Sequence, residues 1–275
     1  MDLRIVNTCN NNCLYCLESN LRKLNSKYID KKYLYDEILK NKDDKITFYG
    51  GNPLLHPYLI DIVKFCNKNN YKTIGLLTNS HGIENKIYSL IENGLTDIGI
   101  YFNSFNKNNH SKLNGGGLLY GNLLKNLKLL SKTGLNLKII IHINNINIDN
   151  LHNDIFVLNK LYGISNFDFI NYFPFDKPYV NKNVLEYEIS SKRESIDLFF
   201  TVIKKLNLNV FFSKFSMIFF GKFIEFYNLE KGVVNQIGKE DIIRINQENI
   251  PFCFKENRCK YCFISDVCEI IKNNK

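Results

Sequence analysis

The chain has no stretch of about 18 uninterrupted apolar residues, the length that a membrane-spanning helix requires. Its most apolar run, from Phe211 to Phe226, is interrupted by serine, glycine and charged residues. The opening residues Met1 to Arg4 contain neither a basic segment nor an apolar stretch, so no signal peptide is visible. We therefore expect a cytoplasmic protein without a membrane partner.

The composition is that of an ordinary globular protein. The 275 residues are 45% hydrophobic and 23% charged, which suits one large α/β domain or a domain with a small appendage. The formal charge of +9 comes from 36 basic and 27 acidic residues spread along the chain. Because this charge is not concentrated in one segment, it is weak support for a polyanionic partner, and we do not expect nucleic-acid binding.

Three of the eight cysteines, Cys9, Cys13 and Cys16, lie close together after a short β-like run. A disulfide framework is disfavoured because disulfides are rare in the cytosol. A structural zinc site usually has four protein ligands, so zinc on these three thiols is a weaker alternative. An iron-sulfur cube takes one thiolate per iron, and three cysteines leave one iron open.

Strand-like and helix-like patterns alternate along the first 175 residues. This alternation predicts βαβ units and a parallel sheet that curls into a barrel or an incomplete barrel. Such folds carry their chemistry at the C-terminal ends of the strands, so we expect the loops that follow the strands to converge there. The predicted strands are 3–6, 45–49, 73–78, 97–102, 137–143 and 167–170, and the predicted helices are 32–39, 57–66, 83–93, 118–132, 149–162 and 190–206.

Three segments together resemble the radical S-adenosylmethionine (SAM) superfamily over residues 1 to about 175. The segments are the C-x3-C-x2-C spacing from Cys9 to Cys16, the glycine-rich turn 50–57 and Thr78-Asn79-Ser80. The turn Gly-Gly-Asn-Pro-Leu-Leu-His-Pro is similar to the family's GGEPLLHP. The resemblance implies an α/β fold, a partial (β/α)6 TIM-like barrel. It also implies a 4Fe-4S cluster on Cys9, Cys13 and Cys16, with SAM on the open iron.

The resemblance also implies a set of SAM contacts. Glycines permit the close backbone approach that such a contact needs. Asn52 stands where relatives carry glutamate and Tyr101 where many carry serine. Asparagine can accept a hydrogen bond from the SAM ammonium but cannot form an ion pair with it. Asn147 could instead be a turn or helix-cap residue. No histidine is assigned a role, and no catalytic acid or base is named. The implied SAM contacts are Tyr15, Gly50, Gly51, Asn52, Pro53, Thr78, Asn79 and Asn147.

A second group of cysteines lies near the C-terminal end of the sequence: Cys253, Cys259, Cys262 and Cys268. Four thiols can close a zinc site or hold a cube, and the spacing alone leaves both open. The segment resembles the SPASM/twitch extensions of radical SAM enzymes, which implies a second, auxiliary 4Fe-4S cluster. We therefore predict a radical SAM core over 1–175, a connecting region over 176–249 and a small cysteine-rich extension over 250–275.

Three functions are consistent with these features. The first is a radical SAM enzyme that modifies a small peptide, and the second is a twitch-type dehydrogenase acting on a small molecule such as a sugar or cyclitol. The third is a non-catalytic, metal-stabilised RNA-binding protein. For the two enzymes, the resemblance implies an electron donor such as flavodoxin or ferredoxin.

Overall fold

Seven parallel strands form a single sheet in the computed structural model, which describes residues 1–20, 27–41, 43–115, 120–174 and 176–226. Each strand pairs with the next one in sequence order. Among the described strands the first and last do not pair, so the barrel is open. The strands are β1 (Asp2–Val6), β2 (Lys45–Gly50), β3 (Thr73–Thr78), β4 (Asp97–Tyr101), β5 (Asn136–Ile143), β6 (Asn166–Asn171) and β7 (Asn209–Ser213).

Helices cover one face of this sheet. Alternate residues of each strand point to one face, and on β5 the residues Ile139 and Ile141 are fully buried there. The described helices are α1 (Lys31–Lys40), α2 (Leu59–Lys68), α3 (Ile87–Glu92), α4 (Lys107–Asn114), α5 (Tyr120–Leu130), α6 (Leu151–Tyr162), α7 (Lys177–Val180), α8 (Lys182–Leu185), α9 (Arg193–Leu206) and α10 (Met217–Phe220).

The other face of the sheet is lined by partly buried polar and aromatic side chains. Lys138 of β5 forms an ion pair with Asp168 of β6 on this face, with a distance of 3.0 Å. Gly99 of β4 leaves room here for its neighbours, since a Cβ would approach Leu77 Cδ2 to 2.7 Å and Ile140 Cδ1 to 3.0 Å. A larger residue at position 99 would therefore displace side chains of β3 and β5.

The predicted partial barrel is confirmed, with β7 and helix α4 among the elements that it adds. All six predicted strands are present, and β7 adds a seventh that pairs with β6. Residues 107–114, which lie outside all of the predicted helices, form helix α4. Asn106 begins this helix because its side chain accepts hydrogen bonds from the backbone N–H groups of Asn108 and Asn109.

The C-terminal cysteine segment, 250–275, lies outside the described residues, together with Cys253, Cys259, Cys262 and Cys268. The division at residues 175 and 249 stays a prediction. None of the helices in the described part of the chain is both long and apolar enough to cross a membrane.

An aromatic cluster joins α9 to β7 and α10. Phe200 is fully buried, with ring centroids 5.6 Å from Phe212, 5.6 Å from Phe219 and 5.5 Å from Phe220. Such ring pairs contribute beyond their buried area. The cluster therefore secures the last strand, which has a neighbour on one side only among the described strands.

Replacing Phe200 with alanine should lower the free energy of unfolding by about 3 to 5 kcal/mol, because it leaves a cavity among packed rings. Leu198→Ala on the same helix is the control, since Leu198 is 45% exposed and its loss should cost only about 0.5 kcal/mol. Urea denaturation followed by circular dichroism measures both. Equal losses in the two variants would contradict this account of the cluster.

Candidate active site

The ends of β1 and β2 bring the cysteine loop against the glycine-rich turn. Gly51 N donates to Val6 O at 3.0 Å, and Asn52 N donates to Thr8 O at 2.9 Å. A Cβ at Gly51 would lie 1.9 Å from Thr8 O, and one at Gly50 would lie 2.1 Å from Val6 O. Only glycine permits this approach, so the turn packs backbone against backbone on the start of the cysteine loop.

The three cysteines of the loop are all partly buried, and none is joined to another described cysteine by a disulfide. Cys9 Sγ accepts from Asn11 N at 3.4 Å and lies 3.8 Å from Asn79 Nδ2, which also donates to it. Cys13 Sγ donates to Asn114 Oδ1 at 3.4 Å. Each of these two sulfurs therefore has an amide group beside it.

The backbone of the cysteine loop is held from two further directions. Asn12 N donates to Asn114 O at 3.0 Å and Leu14 N to Leu113 O at 2.9 Å, which attaches the loop to the end of α4. On the other side, Asn181 Nδ2 donates to Leu14 O at 3.2 Å. A Cβ at Gly115 would lie 2.5 Å from Asn12 O, so the end of α4 also makes a close approach to the loop.

Asn52, which replaces the glutamate of the family pattern, is fully buried and bonded to protein groups on both sides of its amide. Its Oδ1 accepts from Thr78 Oγ1 at 2.7 Å and from Leu54 N at 3.3 Å. Its Nδ2 donates to Asn10 Oδ1 at 3.1 Å. This side chain therefore links the glycine-rich turn to the cysteine loop and to the end of β3.

The end of β3 contributes Asn79 beside Thr78. Asn79 Nδ2 donates to Asn10 Oδ1 at 2.8 Å, and Asn79 Oδ1 accepts from His81 N at 3.0 Å. Asn10 Oδ1 thus receives hydrogen bonds from both Asn52 and Asn79. The predicted convergence of these strand ends is therefore present in the structure.

Asn147 lies at the loop after β5 and is fully buried. Its Oδ1 accepts from Asn144 N at 2.9 Å, and its Nδ2 donates to His142 O at 2.9 Å and to Asn103 O at 3.3 Å. Through these hydrogen bonds Asn147 connects the ends of β4 and β5. Its side chain does not cap the short 3-10 helix that follows.

Tyr15 forms part of an aromatic stack over the polar face of the sheet. Its ring lies 4.5 Å from that of His142, and His142 lies 6.0 Å from Tyr101 on the other side. Burial raises the pKa of Tyr15 well above its ordinary value, against the smaller opposing effect of a hydrogen bond from Asn103. Burial lowers the pKa of His142 to about 4, and the charge of Lys214 acts in the same direction. The stack is therefore uncharged near neutral pH.

A buried polar network lies behind Cys13. Asn114 Oδ1 also accepts from Asn103 Nδ2 at 2.6 Å, and Asn114 Nδ2 lies 2.6 Å from His110 Nε2. Burial lowers the pKa of His110 to about 4, so the imidazole is neutral. The sequence analysis gave no role to Asn114 or His110.

The donor set suits an iron-sulfur cube. Among the described residues, no three His, Cys, Asp or Glu side chains converge on a point that could hold a single metal ion. A cube does not require such convergence, because it takes one thiolate per iron and its cysteines stand at separate corners. Cys9 Sγ also accepts hydrogen bonds from Asn11 N and Asn79 Nδ2, and donors of this kind stabilise cluster thiolates.

Comparisons with known proteins agree with this fold. The GTP 3',8-cyclase of Synechocystis sp. is 27% identical over 139 residues, which is 49% of this chain and 42% of the cyclase. The structure of Streptococcus suis SuiB bound to S-adenosylmethionine has a TM-score of 0.59 at 16% identity and covers 82% of this chain and 49% of SuiB. The anSMEcpe structure with AdoMet and the Kp18Cys peptide has a TM-score of 0.58 at 18% identity, covering 76% of this chain and 63% of that one.

The matched region thus spans about half or less of the cyclase and of SuiB. The family model of the Radical SAM superfamily matches residues 3–157, more than half of the chain. That match contains the cysteine loop, the glycine-rich turn and the ends of the first five strands. A 4Fe-4S cluster and SAM are the cofactors that this family implies. The chain therefore belongs to the Radical SAM superfamily.

Proposed function

We propose that this chain cleaves SAM reductively and uses the resulting 5'-deoxyadenosyl radical to remove a hydrogen atom from a small peptide. The observation that carries the proposal is that backbone hydrogen bonds from Gly51 and Asn52 hold the glycine-rich turn against the cysteine loop. In this proposal Cys9, Cys13 and Cys16 hold a 4Fe-4S cluster with one open iron. When bound and reduced, that cluster supplies the electron that cleaves SAM.

The protein's own contribution is to hold the reactants and to exclude water, since the cofactor carries the difficult chemistry. Gly50, Gly51 and Pro53 offer backbone groups to the methionine end of SAM. The side-chain oxygen of Asn52 already accepts two hydrogen bonds, so this residue orients the turn and approaches SAM through its backbone. Tyr15 closes the site from the side of the aromatic stack.

The remaining proposed SAM contacts are positioned by the same network. Asn79 shares Asn10 Oδ1 with Asn52, and Thr78 donates to Asn52, so both lie at the turn. Asn147 has its side-chain amide engaged by the backbone at the ends of β4 and β5. We assign Asn147 to the wall of the site, where it fixes the strand ends around the nucleoside of SAM.

A peptide substrate is supported by the structural neighbours, because the anSMEcpe structure holds a peptide together with AdoMet. A small-molecule substrate is the second candidate, supported by the cyclase relative, whose name gives a nucleotide as its substrate. The polar face of the sheet, with the Lys138–Asp168 ion pair, can offer charged groups to either class. The peptide is our first choice because the structural matches to SuiB and anSMEcpe cover more of this chain than the cyclase match does.

Two further elements complete the proposal. Cys253, Cys259, Cys262 and Cys268 form an auxiliary 4Fe-4S cluster that binds substrate or accepts an electron from it. A small electron-transfer protein of the flavodoxin or ferredoxin type reduces the first cluster, in the cytoplasm. The net charge of +9 would favour an encounter with an acidic donor of this kind.

Replacing Cys13 with alanine should abolish the formation of 5'-deoxyadenosine, because the cluster loses one of its three ligands. Anaerobically reconstituted protein is reduced with dithionite, and the nucleoside is measured by chromatography. Cys66→Ala is the matched control, since Cys66 is a buried core residue of α2 outside the loop. Full cleavage by the Cys13 variant would contradict the ligand assignment.

The auxiliary cluster predicts a metal content of about eight iron and eight sulfide per reconstituted chain, twice that of a single cube. Cys262→Ala should lower both towards about four and lose product while it retains uncoupled cleavage of SAM. Iron and sulfide assays check the first result, and chromatography checks the second. Tightly bound zinc with about four iron per wild-type chain would instead assign a zinc site to these cysteines.

Transfer of deuterium distinguishes the two substrate classes. Deuterated candidate peptides and deuterated sugars or cyclitols are incubated with SAM and reduced protein, and 5'-deoxyadenosine is examined by mass spectrometry. We expect label in the nucleoside from a peptide, because the abstracted atom moves to the 5' carbon. If 5'-deoxyadenosine acquires deuterium from a small molecule but from no peptide, the small-molecule substrate is the correct candidate. The Cys13→Ala variant provides the background for every substrate.

A further inference from the structure

Asn114, the last residue of α4, contacts the cysteine loop in two ways. Its backbone oxygen accepts from Asn12 N at 3.0 Å, and its side-chain oxygen accepts from Cys13 Sγ at 3.4 Å. The residue is only 6% exposed, so its amide forms hydrogen bonds mainly with protein groups and little with water. Two of those groups, Asn103 and His110, are themselves buried.

The contact between Asn114 Oδ1 and Cys13 Sγ suits a thiol and not a thiolate. A cysteine that binds iron loses its proton and can then only accept a hydrogen bond. The amide oxygen of Asn114 would face that thiolate with no hydrogen between them. An asparagine amide exchanges its oxygen and nitrogen when it turns over, and the turned amide would offer Nδ2 to the sulfur.

His110 is suited to accompany that reversal. Its Nε2 lies 2.6 Å from Asn114 Nδ2, so it acts as the acceptor and the ring hydrogen lies on Nδ1. Nδ1 is buried without a hydrogen-bond partner in the part of the chain that the structure describes. A neutral imidazole can carry its hydrogen on either nitrogen. Moving it to Nε2 would give the reversed Asn114 oxygen a donor and remove an unsatisfied N–H group.

Asn103 completes the exchange. Its Nδ2 donates to Asn114 Oδ1 at 2.6 Å, while its Oδ1 is buried without a partner among the described residues. If this amide also turns over, Oδ1 accepts the second hydrogen of Asn114 Nδ2. The Nδ2 group of Asn103 then occupies the place of its oxygen. The N–H group that lacks an acceptor is therefore no longer on His110 but on Asn103.

We propose that Asn114 is a positioning residue whose amide turns over when Cys13 binds iron, so that Nδ2 donates to the Cys13 thiolate and His110 holds the reversed amide. This inference rests on the cluster assignment of the proposed function. A donor on a ligand sulfur stabilises the added electron, and hydrogen bonds to the sulfurs are among the groups that set a cluster's reduction potential. Asn114 therefore makes the first cluster easier to reduce.

The test is the midpoint potential of the first cluster, measured by electron paramagnetic resonance during a redox titration of the reconstituted full chain. The signal of this cluster is the one absent from Cys13→Ala. Asn114→Leu removes the donor and should lower the reduction equilibrium constant about tenfold, a shift of about 59 mV to more negative potential for one electron. Asn109→Leu on the same helix is the matched control, since Asn109 Nδ2 bonds to Ile146 O and should leave the potential unchanged.

An unchanged potential in Asn114→Leu with wild-type iron content would overturn the inference, because a merely structural role alters cluster content and not its potential. If Asn114→Leu holds no cluster, Asn114→Asp takes its place. The aspartate keeps the shape of asparagine without its N–H donor, and Asn109→Asp controls for the added charge. A potential in Asn114→Asp no lower than that of Asn109→Asp would also overturn it. Normal SAM cleavage by the wild-type protein in these experiments would leave the proposed function standing.

Discussion

The close contact between the cysteine loop and the glycine-rich turn is the constraint on which the site depends. Parallel pairing of β1 with β2 brings Val6 opposite Gly50, so the loops that follow both strands leave the sheet at the same edge. At that edge the two backbones approach so closely that a side chain at Gly51 would meet Thr8 O. The same contact orients the turn towards the cysteines, so fold and site share one set of backbone hydrogen bonds.

Around this contact the site is assembled mainly from asparagine. Asn10, Asn52 and Asn79 form a chain of amides that joins three strand ends. An amide can donate and accept at once, so one buried side chain can satisfy groups on two loops without bringing in a charge. At this position, where the family pattern has glutamate, Asn52 joins parts of the protein through both its Nδ2 and its Oδ1, whereas an ionised glutamate could only accept hydrogen bonds.

Much of the fold was predictable because its signals are local. Alternating strands and helices predicted the parallel sheet, and the family resemblance implied an incomplete barrel. The position of each loop after its strand predicted which segments converge. Helix α4 was missed because residues such as Asn108 and Asn109 have weak helix propensity, and its start depends on the cap from Asn106. Strand β7 was missed because its aromatic residues fit a strand or a buried helix equally well until they pair with β6.

The contact of Asn114 with Cys13 could not be predicted in the same way, since 101 residues separate them and the docking of α4 determines their approach. The cysteine spacing predicts which sulfur atoms would bind a cluster, but the groups behind those atoms come from distant elements. Reduction adds negative charge to a cluster whose neighbours here are amides and a neutral imidazole, His110. In such surroundings the orientation of each amide determines whether its N–H group or its oxygen faces a sulfur. In the proposed site, the orientation of the uncharged Asn114 side chain would thus influence the reduction potential of a cluster held by Cys13.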